Sequence, residues 1–285
     1  MIDEIINNTQ SNSYDKEAYR QKKKEQLEIA YGTIKDGINE LKTNPSFFKD
    51  YLNIQSRFDM YTPRNAILVA KQLPTATQLK EWSKWRDSNV TFKERYPKKI
   101  LLLDPREPYR NKNGDLIKSY TAKEVIDVSE TNVKPTNRSY DRKYILQALL
   151  HDCPVDIKAV DELSSGKVSE WNAENNAIYV CRGKDVDLTI KSVVEEIAKI
   201  NLYENNEEID ADKVECISYM VCSRYGIKVE LDNMERFTSK YSNMEAEDIV
   251  TDLYSMKNIV LDINTKMMQY ISDKKKNLEN KEQGR

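Results

Sequence analysis

The sequence predicts an α+β protein, rich in helix and built of two domains. Long stretches place apolar residues every three to four positions, the spacing of a helix buried along one stripe. Short apolar runs bounded by Gly, Pro, Asn or Ser read as strands, and they fall in two groups, near 100–128 and near 156–181. A polar stretch at 131–140, containing Pro135, separates these groups and reads as a linker. The 285 residues suit two modest domains, and seven glycines are few for an all-β fold with many tight turns.

Residues 1–14 are polar, rich in Asn and Ser, and are expected to form a disordered tail. From 15 to 41 the spacing of Leu27, Ile29, Ile34, Ile38 and Leu41 predicts a helix, weakened at Gly32 and Gly37. Asn44-Pro45-Ser46 is a helix-start signal, followed by the apolar set Phe47, Phe48, Tyr51, Leu52, Ile54 and Phe58. Pro63 suits the first turn of the next helix, which runs through 66–70 and stops before Pro74. Thr77 is the expected cap of a further helix carrying Trp82 and Trp85. Residues 100–103, ending at Asp104-Pro105, and residues 125–128 read as strands. The back half opens with a short helix at 144–150 and continues with strands near 156–160, 168–171 and 178–181. It closes with long helices over 187–203, 211–225 and 245–274. The expected division is a tail (1–14), a first domain (15–130), a linker (131–140), a second domain (141–275) and a charged tail (276–285).

The formal net charge of −2 hides an asymmetry. Residues 1–150 carry about 27 Lys/Arg against about 20 Asp/Glu, and the remainder about 18 against about 27. A positive front half suits an anionic partner. No run approaches the ~18 apolar residues of a membrane helix. The acidic, polar start lacks the basic and apolar regions of a signal peptide, so a cytoplasmic protein is expected. Cys153, Cys181, Cys216 and Cys222 form no C-x-x-C pair, and reduced, buried thiols are their expected state.

In the back half, residues 191–200 (KSVVEEIAKI) have the frame of a zinc-peptidase helix. Such a helix places two histidines one turn apart, with a general-base glutamate directly after the first. Glu196 stands at the base position, whereas Glu195 and Lys199 occupy the histidine positions. A protonated lysine has no lone pair for a metal, and the one histidine, His151, is far away in sequence. Glu195 and Lys199 are four residues apart and are expected to pair, which is worth roughly 0.2–0.5 kcal/mol. The alternative is a carboxylate site of Glu195, Glu196 and Glu215, whose oxygens would suit a hard cation rather than zinc. The expectation is no catalytic residue and no cofactor.

The front half holds a set of cations and aromatics, Tyr61, Arg64, Lys71, Lys80, Lys84, Trp85, Arg86, Lys93, Arg95, Lys98 and Lys99, which composition alone does not assign to a nucleic acid. Plainer roles stand beside these. Trp82 and Trp85, three apart on one helix face, also suit a core. Lys80, Lys84 and Arg86 suit a solvated surface, and Asn65 suits bonding to the backbone.

Residues 61–77 (YTPRNAILVAKQLPTAT) resemble the Y-S-x-x-N…Q-x-P-x-A-T signature of the N-terminal domain of ArdC/LtrC-like proteins of mobile elements. Trp85, a basic turn and a strand ending in proline (93–105) follow in the family's order, although its glycine-rich turn after the tryptophan is here DSNVTFKER (87–95). Residues 127–131 (DVSET) resemble the family's inter-domain link. Residues 171–182 (WNAENNAIYVCR) resemble the strand and turn before its metal helix, and 214–227 (VECISYMVCSRYGI) its second helix, where Glu215 stands near a third-ligand position. The resemblance spans about residues 47–270. It implies a zincin-like second domain that has lost its metal. It also implies a first domain that binds single-stranded DNA through Tyr61, Arg64, Asn65, Lys71, Lys80, Lys84, Trp85, Arg86, Lys93, Lys98 and Lys99. The implied function is an antirestriction-like accessory of a conjugative or other mobile element, with single-stranded DNA as partner, no membrane association, and a protein partner for the second domain left open. A protein–protein adaptor and a carboxylate-metal peptidase are the alternatives.

Overall fold

The computed structural model describes the backbone of residues 2–134 and 140–283, and the side chains of 16–134 and 140–274. In chain order the elements are α1 (Ile2–Leu41), α2 (Pro45–Arg57), α3 (Pro63–Gln72), β1 (Leu79–Lys80), α4 (Trp82–Asp87), β2 (Ile100–Pro105), β3 (Tyr109–Arg110), β4 (Leu116–Ile117) and β5 (Tyr120–Asp127). After the 3-10 turn Val128–Glu130 come α5 (Arg142–His151), β6 (Asp156–Val160), β7 (Ser169–Asn172), β8 (Ala177–Cys181), α6 (Val186–Glu204), α7 (Ala211–Arg224), α8 (Glu235–Tyr241) and α9 (Ala246–Gln283). The fold class is α+β, as the sequence predicts. The chain forms two units, Met1–Glu40 with Arg64–Pro135, and Leu41–Pro63 with Thr136–Arg285.

The structure differs from the expected division at two places. The helix α1 is traced from Ile2 rather than from 15, and the chain has no proline before Pro45. Residues 41–63, expected in the first domain, belong to the second unit. There Phe48 stacks on Phe237 (centroids 5.8 Å, 11° between planes), Tyr219 Oη donates to Asn53 Oδ1 (2.6 Å), and Arg224 pairs with Asp59 (3.2 Å). The apolar face of α2 is thus used by α7 and α8, which lie far away in sequence. Residues 135–139 of the expected linker lie outside the described residues, as do 284–285 of the charged tail. Up to Gln283 that tail continues α9.

In the first unit β5 is the centre of an antiparallel sheet ordered β1-β5-β2, with Ile100 opposite Val125 and Leu79 opposite Asp127. That leaves the outer edge of β2 without a strand. The face of α3 closes it. Asn65 accepts from Leu103 N–H (2.8 Å) and donates to Leu103 O (2.9 Å), while Gln72 accepts from Leu101 N–H (2.8 Å) and donates to Leu101 O (2.9 Å). A side-chain amide carries the same donor and acceptor as a peptide, so two amides stand in for a missing strand. Asp127, buried at the end of β5, accepts from the backbone N–H groups of Thr77, Gln78 and Ser129 (each 2.9 Å). Thr77 therefore enters β1 rather than capping a helix, and α4 starts after Glu81.

In the second unit β8 is central, parallel to β6 and antiparallel to β7. The core is helical, with α6 and α7 burying Val193, Val194, Ile197, Ile217, Met220 and Cys222. Four elements went unread in the sequence: α8 and the two-residue strands β1, β3 and β4. The cysteines are unpaired, three of them buried and Cys153 half-buried.

Replacing Asn65 or Gln72 by Ala leaves a donor and an acceptor of β2 without partners. Each substitution is expected to cost about 1–3 kcal/mol in urea unfolding with an unchanged m-value. A loss no greater than that of Ser83→Ala at an exposed position would refute the edge-closing role. In the second unit, burial raises the Cys222 thiol from 9.0 to about 12. The folded state therefore holds this proton more tightly than the unfolded chain. The stability it confers is complete below pH 9 and is lost as pH climbs through about 12. The urea midpoint should fall over that window, and less steeply in Cys222→Ala.

Candidate functional site

The short helix α4 carries both tryptophans of the front half, and the structure gives them opposite places. Trp85 is 2% exposed, packs with Ile126 and Val128, and donates its Nε1–H to Ile126 O (2.9 Å). The Lys80 ammonium lies 4.6 Å from its ring centroid. Trp85 is therefore a core residue, and its place among the base-stacking candidates is corrected: a ring held by the core and by its own hydrogen bond offers no face to a base. Trp82, at the first position of α4, is 41% exposed and lies flat on Phe92, with centroids 4.2 Å apart and planes 10° apart. The stack is positioned by a short pairing between the loop and the end of the sheet. Lys93 N–H donates to Glu130 O (2.9 Å), and Asn132 N–H donates to Thr91 O (3.0 Å).

The other expected contacts divide by what already occupies them. Lys71 pairs with Glu40 (2.5 Å), Lys84 with Glu81 (3.7 Å) and Lys99 with Glu124 (3.0 Å). The Lys93 ammonium donates to Ser129 O (2.7 Å), and that of Lys98 to Gln72 O (3.2 Å) at the C-terminal end of α3. Asn65 is committed to β2, which corrects its assignment as a DNA contact. Tyr61 stacks on Phe58 (5.0 Å, 15°) and belongs to the second unit, whereas the cations belong to the first. Arg64 is half-buried. Arg86 and Arg95 are exposed, and the Arg95 guanidinium lies 5.3 Å from the ring centroid of Tyr96, itself 81% exposed. The helix that carries Trp82 also carries Lys84 and Arg86, and the loop that carries Phe92 continues through Lys93, Arg95 and Tyr96. Phe92 and Tyr96 were missed in the sequence: Phe92 lies within residues 87–95, which do not follow the glycine-rich turn of ArdC/LtrC-like proteins, and Tyr96 comes directly after them.

In the second unit the peptidase-like frame lies on α6. The expected Glu195–Lys199 pair does not form: Glu195 pairs with Lys191 (2.5 Å) and Lys199 with Glu196 (2.8 Å). The Glu196 side chain is 4% exposed, and its other oxygen accepts from Trp171 N–H on β7 (3.1 Å). One turn earlier, Ser192 Oγ accepts from Ser169 N–H (3.2 Å) and lies 2.7 Å from Ser169 Oγ. The outer edge of β7 is therefore bonded to α6. Glu215 pairs with Arg236, which also reaches Asp212 (3.2 Å). Glu195, Glu196 and Glu215 thus face three different cations. Among the described residues no group of three or more His, Cys, Asp or Glu is arranged to hold a metal ion. Nearby, Lys213 is buried between Asp252 (2.9 Å) and Glu207 (2.8 Å). Lys240 bridges Asp210 (2.6 Å) and Asp252 (3.3 Å), and Tyr241 Oη donates to Asp252 (2.7 Å). Burial pushes the Asp210 carboxyl up, but the hydrogen bond and charge of Lys240 outweigh it and hold the group below its ordinary value. Among the described residues no helix is long and apolar enough to cross a membrane.

No family model matches the chain, and no curated protein matches it. Two solved structures of the antirestriction protein ArdC from plasmid R388 are similar to it. For the metal-free structure the TM-score is 0.48 at 9% identity, covering 75% of this chain and 86% of that one. For the Mn(II)-bound structure it is 0.49 at 9% identity, covering 74% and 84%.

Lys199→Ala would leave the buried Glu196 carboxylate without its cation, and a loss of about 1–3 kcal/mol in chemical unfolding is expected. The double substitution Glu196→Gln with Lys199→Met keeps an acceptor for Trp171 N–H and removes both charges, so it should recover most of that loss. If Lys199→Ala costs no more than the exposed Lys184→Ala, the pair has no structural role.

Proposed function

We propose that the first unit binds single-stranded DNA on the surface built around Trp82 and Phe92, and that the chain serves as an antirestriction-like accessory of a mobile element. The observation that carries this is the exposed, parallel Trp82–Phe92 stack beside the exposed Arg86, Arg95 and Tyr96. One face of the indole rests on Phe92, and the exposed remainder offers a flat surface for a base. Stacking on such a surface is sequence-tolerant, since every base has a π-face, and contributes about 1–3 kcal/mol per base. The signature in residues 61–77 supports the mobile-element part of the reading. The second unit is proposed to be a peptidase-like scaffold without peptidase activity, supported by the lysine in a ligand position and by Glu196 being committed to Trp171 and Lys199.

Fluorescence anisotropy of a labelled ~30-nucleotide single strand at two salt concentrations tests the reading. Trp82→Ala should weaken binding at least about fivefold. Arg86→Ala should make the salt dependence shallower by about 0.7, the change expected for one phosphate contact on a single strand. Unchanged affinity in Trp82→Ala would remove the stacking surface. An absence of single-strand binding at low salt would favour the adaptor reading, in which the paired Lys71, Lys84 and Lys99 are surface ion pairs and nothing more.

A further inference from the structure

Beyond the sheet of the first unit, β2 and β5 continue into a narrow two-stranded arm. Arg106 N–H donates to Ser119 O (2.9 Å), after which Tyr109 lies opposite Ile117 and Arg110 opposite Leu116. Between these pairs the first strand holds one residue more than the second, a bulge of the kind that turns a ribbon away from its sheet. The tip is fixed rather than loose. Asn111 Oδ1 accepts from the N–H groups of Asn113 and Asp115 (both 2.9 Å), Asn111 N–H donates to Asp115 O (2.9 Å), and Gly114 takes the positive φ of 87° that closes the turn. Arg110 adds a bond to Gly114 O (2.7 Å).

The surface of this arm is exposed and basic. Arg106, Arg110, Lys112 and Lys118 stand against Glu107 and Asp115, and Asp115 is held by the Asn111 side chain (3.0 Å). Among the described residues none of these four cations forms an ion pair, unlike Lys71, Lys84 and Lys99. Tyr109 and Leu116 are also exposed. A single strand is held by a concave, aromatic-lined path, whereas this arm is an exposed two-stranded ribbon with one tyrosine. The major groove of duplex DNA, about 12 Å wide, admits a two-stranded ribbon, and the phosphates on either side meet its cations.

We propose that the arm at residues 106–119 is a contact element for double-stranded DNA, entering a groove with Arg106, Lys112 and Lys118 against the phosphates. It would place a duplex site on the same unit as the Trp82 surface, and it does not depend on the single-strand reading.

The test uses the full chain with a labelled 20-base-pair duplex and, separately, a single strand, each titrated at two salt concentrations. Arg106→Glu, Lys112→Glu and Lys118→Glu combined alter exposed side chains only, and circular dichroism confirms that the variant is folded. Duplex affinity is expected to fall at least about tenfold and the salt slope to become shallower by about 2–3, at about 0.9 per phosphate contact. Single-strand affinity should be retained, and Trp82→Ala should show the converse. The milder combination Lys112→Ala with Lys118→Ala should give the same pattern at smaller amplitude. The proposal is overturned if the wild-type chain does not bind duplex, if the charge reversal leaves duplex binding unchanged, or if sedimentation shows that the variant loses a dimer the wild type forms, which would make the arm an interface between copies. Loss of single-strand binding in the wild type, with duplex binding still dependent on these three residues, would defeat the single-strand reading and leave this one standing.

Discussion

A three-stranded sheet has two open edges, and each unpaired edge exposes backbone donors and acceptors that must be satisfied. In both units one such edge is closed by side chains of a helix. On β2 the partners are the amides of Asn65 and Gln72, two turns apart on α3, and the greater reach of glutamine spans the difference between helix and strand spacing. On β7 they are Ser192 and Glu196, one turn apart on α6, where helix rise and strand rise nearly match. The rest follows from these bonds. They fix each helix in register with its sheet, and they commit to structure several residues that the sequence offers for function.

That commitment explains how much of the candidate site is legible. A signature containing asparagine, glutamine and tryptophan suggests recognition, since all three are common at nucleic-acid surfaces. Here Asn65, Gln72 and Trp85 each bond to backbone of the same small sheet, so the signature marks a fold before it marks a ligand. Sequence spacing places Trp82 and Trp85 on one helix face but says nothing of where a six-residue helix meets its core. Only the Trp85–Ile126 bond separates the buried ring from the exposed one. The long helices of the second unit and the strands β2, β6 and β8 are legible because their apolar periodicity extends over enough residues. The arm strands, two residues each and exposed, have no periodicity to read, and α2 joins the second unit through residues about 165–195 positions later in the chain.

Charge is redistributed in a similar way. The positive surplus of the front half is real in the sequence, yet on the sheet much of it is spent locally: Lys123 bridges Glu81 and Asp104, Lys99 meets Glu124, and Lys71 meets Glu40. A lysine already paired with a carboxylate presents little net field to a phosphate, because binding would have to break or share the pair. The cations that keep their field are Arg86 on α4, those of the loop after it, and those of the arm.

On α6 the lysine at position 199 has a physical consequence beyond offering no lone pair to a metal. A buried carboxylate requires a compensating charge, and a bound divalent cation can provide it. With lysine at position 199 an ammonium lies 2.8 Å from Glu196 and supplies that charge from the same helix. A second cation beside this ammonium would add like-charge repulsion and would compete for oxygens that already accept from Lys199 and from the edge of β7. Glu196 is therefore balanced from within α6, and its bond to Trp171 N–H also holds α6 against the sheet.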